Sequence, residues 1–456
     1  MQIKKNDIIE LEITEMTGQV SGIGKYDGMA IFVPMTAIGD KISARILKVK
    51  KNYAFAKIES IIVSSESRIV PDCECYSKCG GCVFRHISYE EELKIKQQRV
   101  FDALTRIGKI DGFHMNDIIG CEEPNGYRNK SQIPIGRDKD NKVVMGFYGN
   151  HSHRIVGNGE CSLHPKEFDD IVGIFKKWID KYKIDIYDEI SHRGLLRHLY
   201  LRNAEKSGQI MVCPVINGNN LPHSKELVKM LTYYSDNVHS VILNINKEKT
   251  NVVLGKKCVT IYGSDFITDE LCGLKFNISP LSFYQINRNQ TERLYSVAAE
   301  YAQLNGEEFL IDLYCGTGTI GLSMADKAKK VLGIEIIPQA IENAKENVRI
   351  NGITNAEFIC SDAAKAAEEL SKNKTSPDVV VVDPPRKGCD GVVIESICKM
   401  SPKRVVYVSC DPETLARDLA VFEERGFKVG KVTPVDMFPR TQHVETVVLM
   451  SRVEGK

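Results

Sequence analysis

The sequence predicts an α/β protein whose C-terminal part, residues 276–456, is a Rossmann-like parallel sheet. In this part, apolar segments that end in polar turns alternate with helix-like segments, which is typical of a doubly wound sheet. Residues 1–61 instead contain short alternating segments separated by glycine turns, and these predict a small β-barrel. Residues 62–275 mix strand-like and helix-like pieces, so we expect an α+β middle domain between the two.

Length and composition are those of a globular chain of about three domains, with 456 residues, 43% of them hydrophobic and 27% charged. No apolar run approaches the roughly 18–20 residues of a membrane span, and the N-terminal segment alternates instead of forming a signal-peptide core. We therefore expect a cytoplasmic protein without a membrane partner. Because the net charge is only +1, a nucleic-acid partner would have to be bound by local basic patches.

The predicted barrel carries one such patch. Residues 41–57, KISARILKVKKNYAFAK, contain six Lys or Arg and no acid, and residues 192–206 form a second basic segment. Either patch alone would also fit a solvated surface. The barrel segment resembles the TRAM domain, a small OB-like barrel attached to several RNA-modifying enzymes, and this resemblance implies RNA binding.

A cluster of cysteines follows the barrel. Residues 73–82, CECYSKCGGC, contain Cys73, Cys75, Cys79 and Cys82. In a large chain of cytosolic character, such a cluster indicates metal binding in preference to disulfides. Four thiolates can hold zinc or an iron–sulfur cluster, and chemistry alone leaves both possibilities open.

The segment FLIDLYCGTGTIGL, residues 309–322, predicts a strand, a glycine-rich turn and a helix that together hold a cofactor. The glycine spacing alone would also fit a nicotinamide cofactor. The following strands end in Glu335, Asp362 and Asp383, and Asp383 opens an Asp-Pro-Pro turn. This row of strand-end acids is the pattern of class I S-adenosylmethionine-dependent methyltransferases. We therefore predict a class I methyltransferase sheet with S-adenosylmethionine as the methyl donor.

The segment VSCDP places Cys410 at another strand end, beside the predicted cofactor site. A free cysteine is most often a packed core residue. A nucleophilic cysteine, however, suits methylation at carbon 5 of a pyrimidine, because addition of a thiolate to C6 makes C5 nucleophilic. A base must then remove the C5 proton, and Glu445 is the candidate. Arg386 follows Asp-Pro-Pro where amine methyltransferases commonly carry a stacking aromatic residue, which argues against amine methylation.

Essentially the whole chain resembles the RNA uracil-5-methyltransferase family. The segments SFYQIN, DLYCGTGTIGL, VVDPPRKG, VSCDP and FPRTQHVET occur in the family's order and spacing. RNA cytosine-5 methyltransferases typically carry a proline-cysteine pair after the fourth strand, where this chain has DPPR. The resemblance implies that Cys410 is the nucleophile and Glu445 the general base. It also implies cofactor or substrate contacts for Gln285, Tyr314, Glu335 and Asp383, with Thr319 and Asp362 as further candidates.

The same resemblance implies a [4Fe–4S] cluster held by Cys73, Cys79, Cys82 and a distant fourth ligand, Cys161. Cys75 departs from the simplest family pattern and leaves open whether Cys75 or Cys161 completes the site. We favour Cys161, since Cys73 and Cys75 are too close in sequence to reach two cluster corners easily.

The barrel and the cysteine cluster together favour 23S ribosomal RNA as the substrate, with a tRNA uracil-5-methyltransferase as the alternative. A non-catalytic RNA-binding assembly factor is a second alternative, but the intact Cys410 and Glu445 argue against it. No stacked base gives access to a nucleophile, a base and a methyl donor at once, so we expect a flipped-out uridine. We expect the protein to act as a monomer.

Overall fold

A computed structural model describes residues 3–18, 20–150, 152–157 and 160–453. The first five strands close into a barrel in the order β1-β2-β3-β5-β4. Side chains alternate along each strand, so that Ile9, Leu11 and Ile13 fill the barrel interior while the glutamates between them face solvent. The strands are β1 (Ile8–Met16), β2 (Ser21–Tyr26), β3 (Met29–Pro34), β4 (Lys41–Val49) and β5 (Tyr53–Val63).

The middle of the chain forms a seven-stranded sheet in the order β13-β12-β11-β10-β7-β8-β9. Helices α2 and α3 pack on one face of this sheet through Phe168, Trp178 and Leu227. Tyr200 and Met211, on the other face, belong to a core shared with the C-terminal sheet. The elements are β7 (Lys130–Arg137), β8 (Val143–Tyr148), β9 (Ile155–Gly157), α2 (Lys166–Tyr182), β10 (Leu196–Asn203), β11 (Ile210–Ile216), α3 (Ser224–Tyr234), β12 (Val238–Ile245) and β13 (Lys257–Gly263).

A two-stranded hairpin leads into the C-terminal sheet, and strands then alternate with helices. The elements are β14 (Ile267–Leu271), β15 (Leu274–Ile278), α4 (Arg288–Ala302), β16 (Phe309–Leu313), α5 (Thr319–Ser323), β17 (Lys330–Glu335), α6 (Pro338–Ile350), β18 (Ala356–Cys360), α7 (Ala363–Lys372), β19 (Val379–Val382), α8 (Gly391–Met400), β20 (Arg404–Ser409), α9 (Pro412–Glu424), β21 (Phe427–Val435) and β22 (Glu445–Arg452).

The C-terminal sheet has eight strands in the order β18-β17-β16-β19-β20-β22-β21-β6, where β6 is the short strand His114–Met115. Strands β16 to β20 are parallel, and β22 runs antiparallel between β20 and β21. The strand order reverses between β16 and β19, and open α/β sheets bind ligands at the carboxyl ends of the strands beside such a reversal. The predicted α/β fold, with its barrel and its Rossmann-like sheet, is confirmed.

An early segment of the chain joins this last sheet. The strand β6 (His114–Met115) pairs with β21, and the helix α1 (Tyr89–Asp102), with the π-helical turn Ala103–Ile107 after it, packs on the C-terminal core through Val100 and Leu104. The segment that follows the cysteine cluster is therefore built into the same unit as the predicted catalytic residues. Among the described residues, no helix has both the length and the apolar character that crossing a membrane requires.

Candidate active site

The glycine-rich turn after β16 has the shape that a closely approaching ligand needs. Tyr314, Gly316 and Gly318 all have positive φ, at 65°, 55° and 81°. At Gly318 a Cβ atom would lie 2.7 Å from the ring of Phe358, so a larger side chain would displace that ring. Glycine is therefore required at this position for both its conformation and its lack of a side chain.

Glu335, the predicted ribose-binding acid at the end of β17, lies against this turn. Its Oε2 accepts a hydrogen bond from the backbone N–H of Gly316 at 3.2 Å, and its Oε1 accepts one from Ile337 at 2.9 Å. The carboxylate is thus held at the mouth of the turn, at the distance along the chain where dinucleotide folds place a ribose-binding acid.

Asp312, a buried residue that the sequence analysis did not predict as a site residue, supports the glycine-rich turn. Asp312 accepts a hydrogen bond from the N–H of Gly321 at 2.9 Å through Oδ2, while Oδ1 has no partner among the described residues. Burial, together with the charges of Asp383 and Glu335, raises the pKa of Asp312 to about 8. Its place at a strand end, like those of Glu335 and Asp383, is the sequence signal that could have revealed it.

The other predicted cofactor residues have local partners. Asp362 caps α7 by accepting from two backbone N–H groups of that helix, at 3.0 and 3.2 Å. The hydroxyl of Thr319 lies 2.8 Å from that of Tyr295. The backbone carbonyl of Gln285 accepts a hydrogen bond from the side-chain amide of Asn129 at 2.8 Å, which ties the loop before α4 to the middle sheet.

Cys410 lies directly after β20 and one residue before Asp411, which caps α9 through a backbone N–H in its first turn at 2.9 Å. The cysteine is partly exposed, so it is not a fully packed core residue. Burial raises the pKa of Cys410 to about 12; the charges of Glu445 and Asp383 add to the increase, and Arg386 opposes it. The thiol therefore faces a crevice lined by ionisable groups.

Glu445 begins β22, the strand next to β20. Ser409 is the register partner of Thr446, so the antiparallel pairing brings the next residues, Cys410 and Glu445, side by side. Glu445 is only 6% exposed. Burial and the charge of Asp383 raise the pKa of Glu445 to about 8, which is near the range where a general base works best.

Asp383 is the third ionisable residue at this site, beside Cys410 and Glu445. It follows β19, the strand next to β20 on the other side. Burial of its carboxyl raises the pKa of Asp383 to about 7, although the residue keeps some exposed surface. Cys410, Glu445 and Asp383 thus meet at the carboxyl edge of the sheet, where the resemblance predicts the reaction site.

Arg386 and His443 form a contact across this crevice that the sequence did not predict. Arg386 Nη2 lies 3.5 Å from His443 Nε2. Burial and the neighbouring positive charge of Arg386 lower the pKa of His443 to about 4. His443 is therefore neutral at pH 7, whereas the positive charge of Arg386 acts on both Cys410 and Glu445.

The turn that leads into β22, and so to Glu445, is held in place by a buried ionic network. Lys96 Nζ donates to Glu92 Oε1 and to Asp436 Oδ1, both at 2.7 Å, and all three side chains are at most 1% exposed. The backbone N–H of Arg440 donates to the same Glu92 oxygen at 2.7 Å. Helix α1, which lies far earlier in the sequence, therefore helps to position the turn between β21 and β22.

The predicted cluster ligands surround one cavity of about 240 Å³. Cys75 lies apart from it, with its thiol directed to the backbone carbonyl of Gly157 at 3.6 Å. Burial, together with the neighbouring Cys82, Asp169 and Cys79, raises the pKa of Cys161 to about 11. The cavity wall includes Cys73, Cys79, Cys82 and Cys161.

The four thiols line the cavity without forming a close group of metal ligands. Within the described part of the chain, no three Cys, His, Asp or Glu side chains converge closely enough to hold a metal ion. In a [4Fe–4S] cluster each thiolate binds a different iron, so the ligands surround a cavity, as these four do. Arg85 donates to Cys82 Sγ at 3.3 Å and would favour its thiolate. The cluster itself stays a prediction.

The strand order, the glycine turn and the strand-end carboxylates define a class I S-adenosylmethionine-dependent methyltransferase. Two family models match the chain: the tRNA (uracil-5-)-methyltransferase family over residues 252–453 and the TRAM domain over residues 3–58. The second match confirms the predicted TRAM barrel.

Two relatives that match over nearly their whole length are also named as RNA methyltransferases. A protein named as an uncharacterized RNA methyltransferase from Clostridium tetani is 48% identical over 98% of this chain and 97% of its own length. A similarly named protein from Halalkalibacterium halodurans is 43% identical over 98% of both chains. The chain therefore belongs to the RNA uracil-5-methyltransferase family and is an S-adenosylmethionine-dependent RNA methyltransferase.

A solved structure is similar over nearly the whole chain. It is the Pyrococcus abyssi tRNA (uracil-54, C5)-methyltransferase in complex with S-adenosyl-L-homocysteine, with a TM-score of 0.77 and 28% identity. The match covers 97% of this chain and all of that one. The match to an enzyme named for a tRNA substrate thus includes the barrel as well as the catalytic sheet. The prediction of 23S ribosomal RNA rested on the barrel and the cysteine cluster together, and this match does not confirm it.

Proposed function

We propose that the protein transfers a methyl group from S-adenosylmethionine to C5 of a uridine in 23S ribosomal RNA, through a covalent bond between Cys410 and C6 of the base. The observation that carries this proposal is the position of Cys410 beside the buried Glu445 at the carboxyl edge of the sheet. A thiol and a carboxylate in one crevice are the two groups that methylation at C5 requires.

In this mechanism the Cys410 thiol gives its proton to the neighbouring Asp383 carboxylate, and the resulting thiolate adds to C6 while the electron pair of the C5–C6 double bond moves towards C4 and its oxygen. C5 becomes nucleophilic. Bound S-adenosylmethionine supplies an electrophilic methyl group, and we propose that Gln285, Tyr314 and Glu335 hold it. Glu445 then accepts the C5 proton, the C5–C6 double bond re-forms, and the Cys410 thiolate leaves.

The electrostatics of the crevice determine which protons must move before the thiolate can add. At neutral pH the Cys410 thiol is protonated, because its pKa is raised to about 12. Arg386 is the neighbouring charge that opposes this increase, so it would stabilise the thiolate as it forms. Glu445, with a pKa of about 8, is mostly protonated at pH 7, so its ionised fraction accepts the C5 proton.

Substrate choice rests on the resemblance and is tested by experiment. We favour 23S ribosomal RNA because this chain combines the TRAM barrel with the cysteine cavity. Transfer RNA is the second candidate, and the likeness to the Pyrococcus abyssi tRNA enzyme favours it. In either RNA the target uridine must leave its stack to reach Cys410, at a cost of about a few kcal/mol.

We further propose that the cysteine cavity holds a [4Fe–4S] cluster bound by Cys73, Cys79, Cys82 and Cys161. A bound cluster would cross-link the segment after the barrel to the middle domain, because Cys161 lies far from the other three in sequence. Its role in this proposal is structural. One chain contains every proposed site residue, so we propose that a monomer is active.

The decisive experiment is methyl transfer from labelled S-adenosylmethionine to RNA from a strain that lacks the gene. Unmodified 23S RNA and unmodified tRNA are compared, and nuclease digestion locates 5-methyluridine. Label in 23S RNA alone supports the proposed substrate, and label in tRNA alone supports the second candidate. Label in neither RNA, with the protein folded, contradicts both.

A further inference from the structure

We propose that three aromatic side chains on the outer wall of the barrel, Phe32, Tyr53 and Phe55, form a stacking surface for unpaired bases of the substrate RNA. This aromatic patch deepens the proposed function and rests on it, because it assigns to single-stranded RNA a site outside the catalytic crevice. Sequence-tolerant stacking on aromatic rings is the usual way in which barrels bind single strands.

The three rings form one continuous surface. The centroid of the Phe32 ring lies 5.6 Å from that of Tyr53 and 5.7 Å from that of Phe55. The Tyr53 and Phe55 centroids are 5.5 Å apart, with an interplanar angle of 86°. Tyr53 packs edge-to-face on both phenylalanine rings and helps to hold them in place, so a base that stacks on the patch meets a preformed surface.

The patch does not belong to the barrel core. Along β5, Ala54 and Ala56 point inward and are at most 1% exposed, whereas Tyr53 and Phe55 point outward and are 37% and 41% exposed. The interior is filled by Ala54, Ala56 and the aliphatic side chains of the other strands. Tyr53 and Phe55 thus lie outside the barrel core, and a contiguous exposed apolar patch often marks a binding site.

Positive charge borders the patch and identifies its partner. Lys48 on β4 is the register partner of Phe55, and Lys57 follows Phe55 on the same outward face of β5. Lys25 on β2 pairs with Ala30, whose other neighbour is Tyr53. Aromatic faces bordered by ammonium groups are complementary to bases joined by phosphates, so the occupant is single-stranded RNA.

The patch also lies where RNA leaving the active site could reach it. The turn between β1 and β2 contacts α1 and α9, because a Cβ on Gly18 would lie 2.9 Å from Arg99 Nε and 3.3 Å from Glu413 Oε1. Glu413 is in the first turn of α9, just after Cys410. Phe32 pairs with Ile23 on β2. Ile23 is two residues from Ser21, the end of β2 that lies next to this turn. At strand spacing the two residues are about 7 Å apart.

The test measures binding of a fluorescein-labelled single-stranded oligouridylate of about 12 nucleotides to the full-length protein. Phe55→Ala and Tyr53→Ala should each raise the Kd by on the order of tenfold without changing its salt dependence, because stacking involves no ion release. Lys48→Ala should instead lower the salt slope by about 0.7. Tyr233→Ala removes a 94% exposed ring on α3 and is the matched control, with an unchanged Kd.

Two further variants separate stacking from general apolar contact and from misfolding. Phe55→Leu keeps apolar surface without a ring and should bind as weakly as Phe55→Ala. Phe55→Trp should bind at least as tightly as wild type, and its emission should fall on addition of the oligouridylate. The chain has one tryptophan, the fully buried Trp178, so this change in emission would report on the patch.

Unchanged Kd values for Tyr53→Ala and Phe55→Ala, wild-type affinity in Phe55→Leu, or no quenching in Phe55→Trp would each overturn the inference. These outcomes are separate from failure of the proposed function. Methyl transfer to RNA together with normal binding by the alanine variants would refute the aromatic patch alone. Quenching by RNA without any uridine methylation would refute the proposed function alone.

Discussion

Cys410 and Glu445 lie side by side across two antiparallel strands, as the continuation of the register pair Ser409–Thr446. The chain between the two residues forms α9, β21 and a buried turn. Cys410 is partly exposed while Glu445 is nearly buried, so the crevice presents a thiol to a substrate and keeps the carboxyl group away from bulk water.

Glu445→Gln should trap the covalent intermediate. Without a carboxylate the C5 proton cannot be removed easily, so a protein–RNA adduct should accumulate while turnover falls about 10²- to 10⁴-fold. Denaturing gel electrophoresis with labelled RNA measures the adduct. Glu424→Gln, at an exposed position of α9, is the control and should turn over normally. An unchanged rate with no adduct would show that another group is the base.

The same substitution should change how stability depends on pH. Burial raises the pKa of Glu445 from 4.5 to about 8, so the folded protein holds this proton more tightly than the unfolded chain does. The stability that the protonated group contributes is fully present below about pH 4.5 and is lost as the pH rises through about 8.

Glu445→Gln cannot ionise and should therefore have a higher Tm than wild type at pH 8.5, with the difference shrinking towards pH 5. Thermal unfolding at several pH values measures this, and Glu424→Gln should leave the wild-type profile unchanged. A Tm difference that does not vary with pH would contradict a raised pKa at Glu445.

Lys96→Met should destabilise the protein strongly. It removes the cation between Glu92 and Asp436 and leaves two buried carboxyl groups without their ammonium partner. Removing one partner of a buried ion pair costs about 3–5 kcal/mol. Lys94→Met, on the same helix but 76% exposed, should change the free energy of unfolding by less than about 0.5 kcal/mol. Equal effects in urea unfolding would show that the network does not support the turn.

The cysteine cavity makes a prediction about iron. Protein purified without oxygen should be brown and contain about four irons per chain. Cys161→Ser should lose the cluster, whereas Cys75→Ser should keep it, because Cys75 points towards Gly157 and away from the cavity. Stoichiometric zinc without iron would contradict the cluster, and loss of iron in Cys75→Ser would contradict the assignment of ligands.

The sequence predicted the features that depend on short segments. Strand-end acids such as Glu335 and Asp383, and the cysteine at 410, stand in patterns where an apolar run stops at a polar turn. The same reasoning predicted the barrel from its alternation and its glycine turns. Asp312 was not predicted, because it lies inside the apolar segment FLIDL and not in the polar turn that follows it.

Features that join distant segments were beyond the sequence. The pairing of β6 with β21 involves only two residues, and no local periodicity marks it. Lys96 and Asp436 are 340 positions apart, and a lysine in a charged helix normally predicts a solvated side chain. The contact between Arg386 and His443 depends on how two loops meet above the sheet. Such contacts follow from the tertiary fold and from no single segment.

The central claim is that Cys410 attacks C6 of a uridine, and trapping with a substrate analogue tests it most directly. In RNA that carries 5-fluorouridine at the target position, Cys410 can add and C5 can be methylated. Glu445 then finds no proton to remove, so the thiolate cannot be expelled. Protease digestion and mass spectrometry of the trapped complex should locate the methylated nucleotide on the peptide that contains Cys410, and Cys410→Ala should form no complex while still binding S-adenosylmethionine. Near-normal methyl transfer by Cys410→Ala, or an adduct on another residue, would contradict the mechanism.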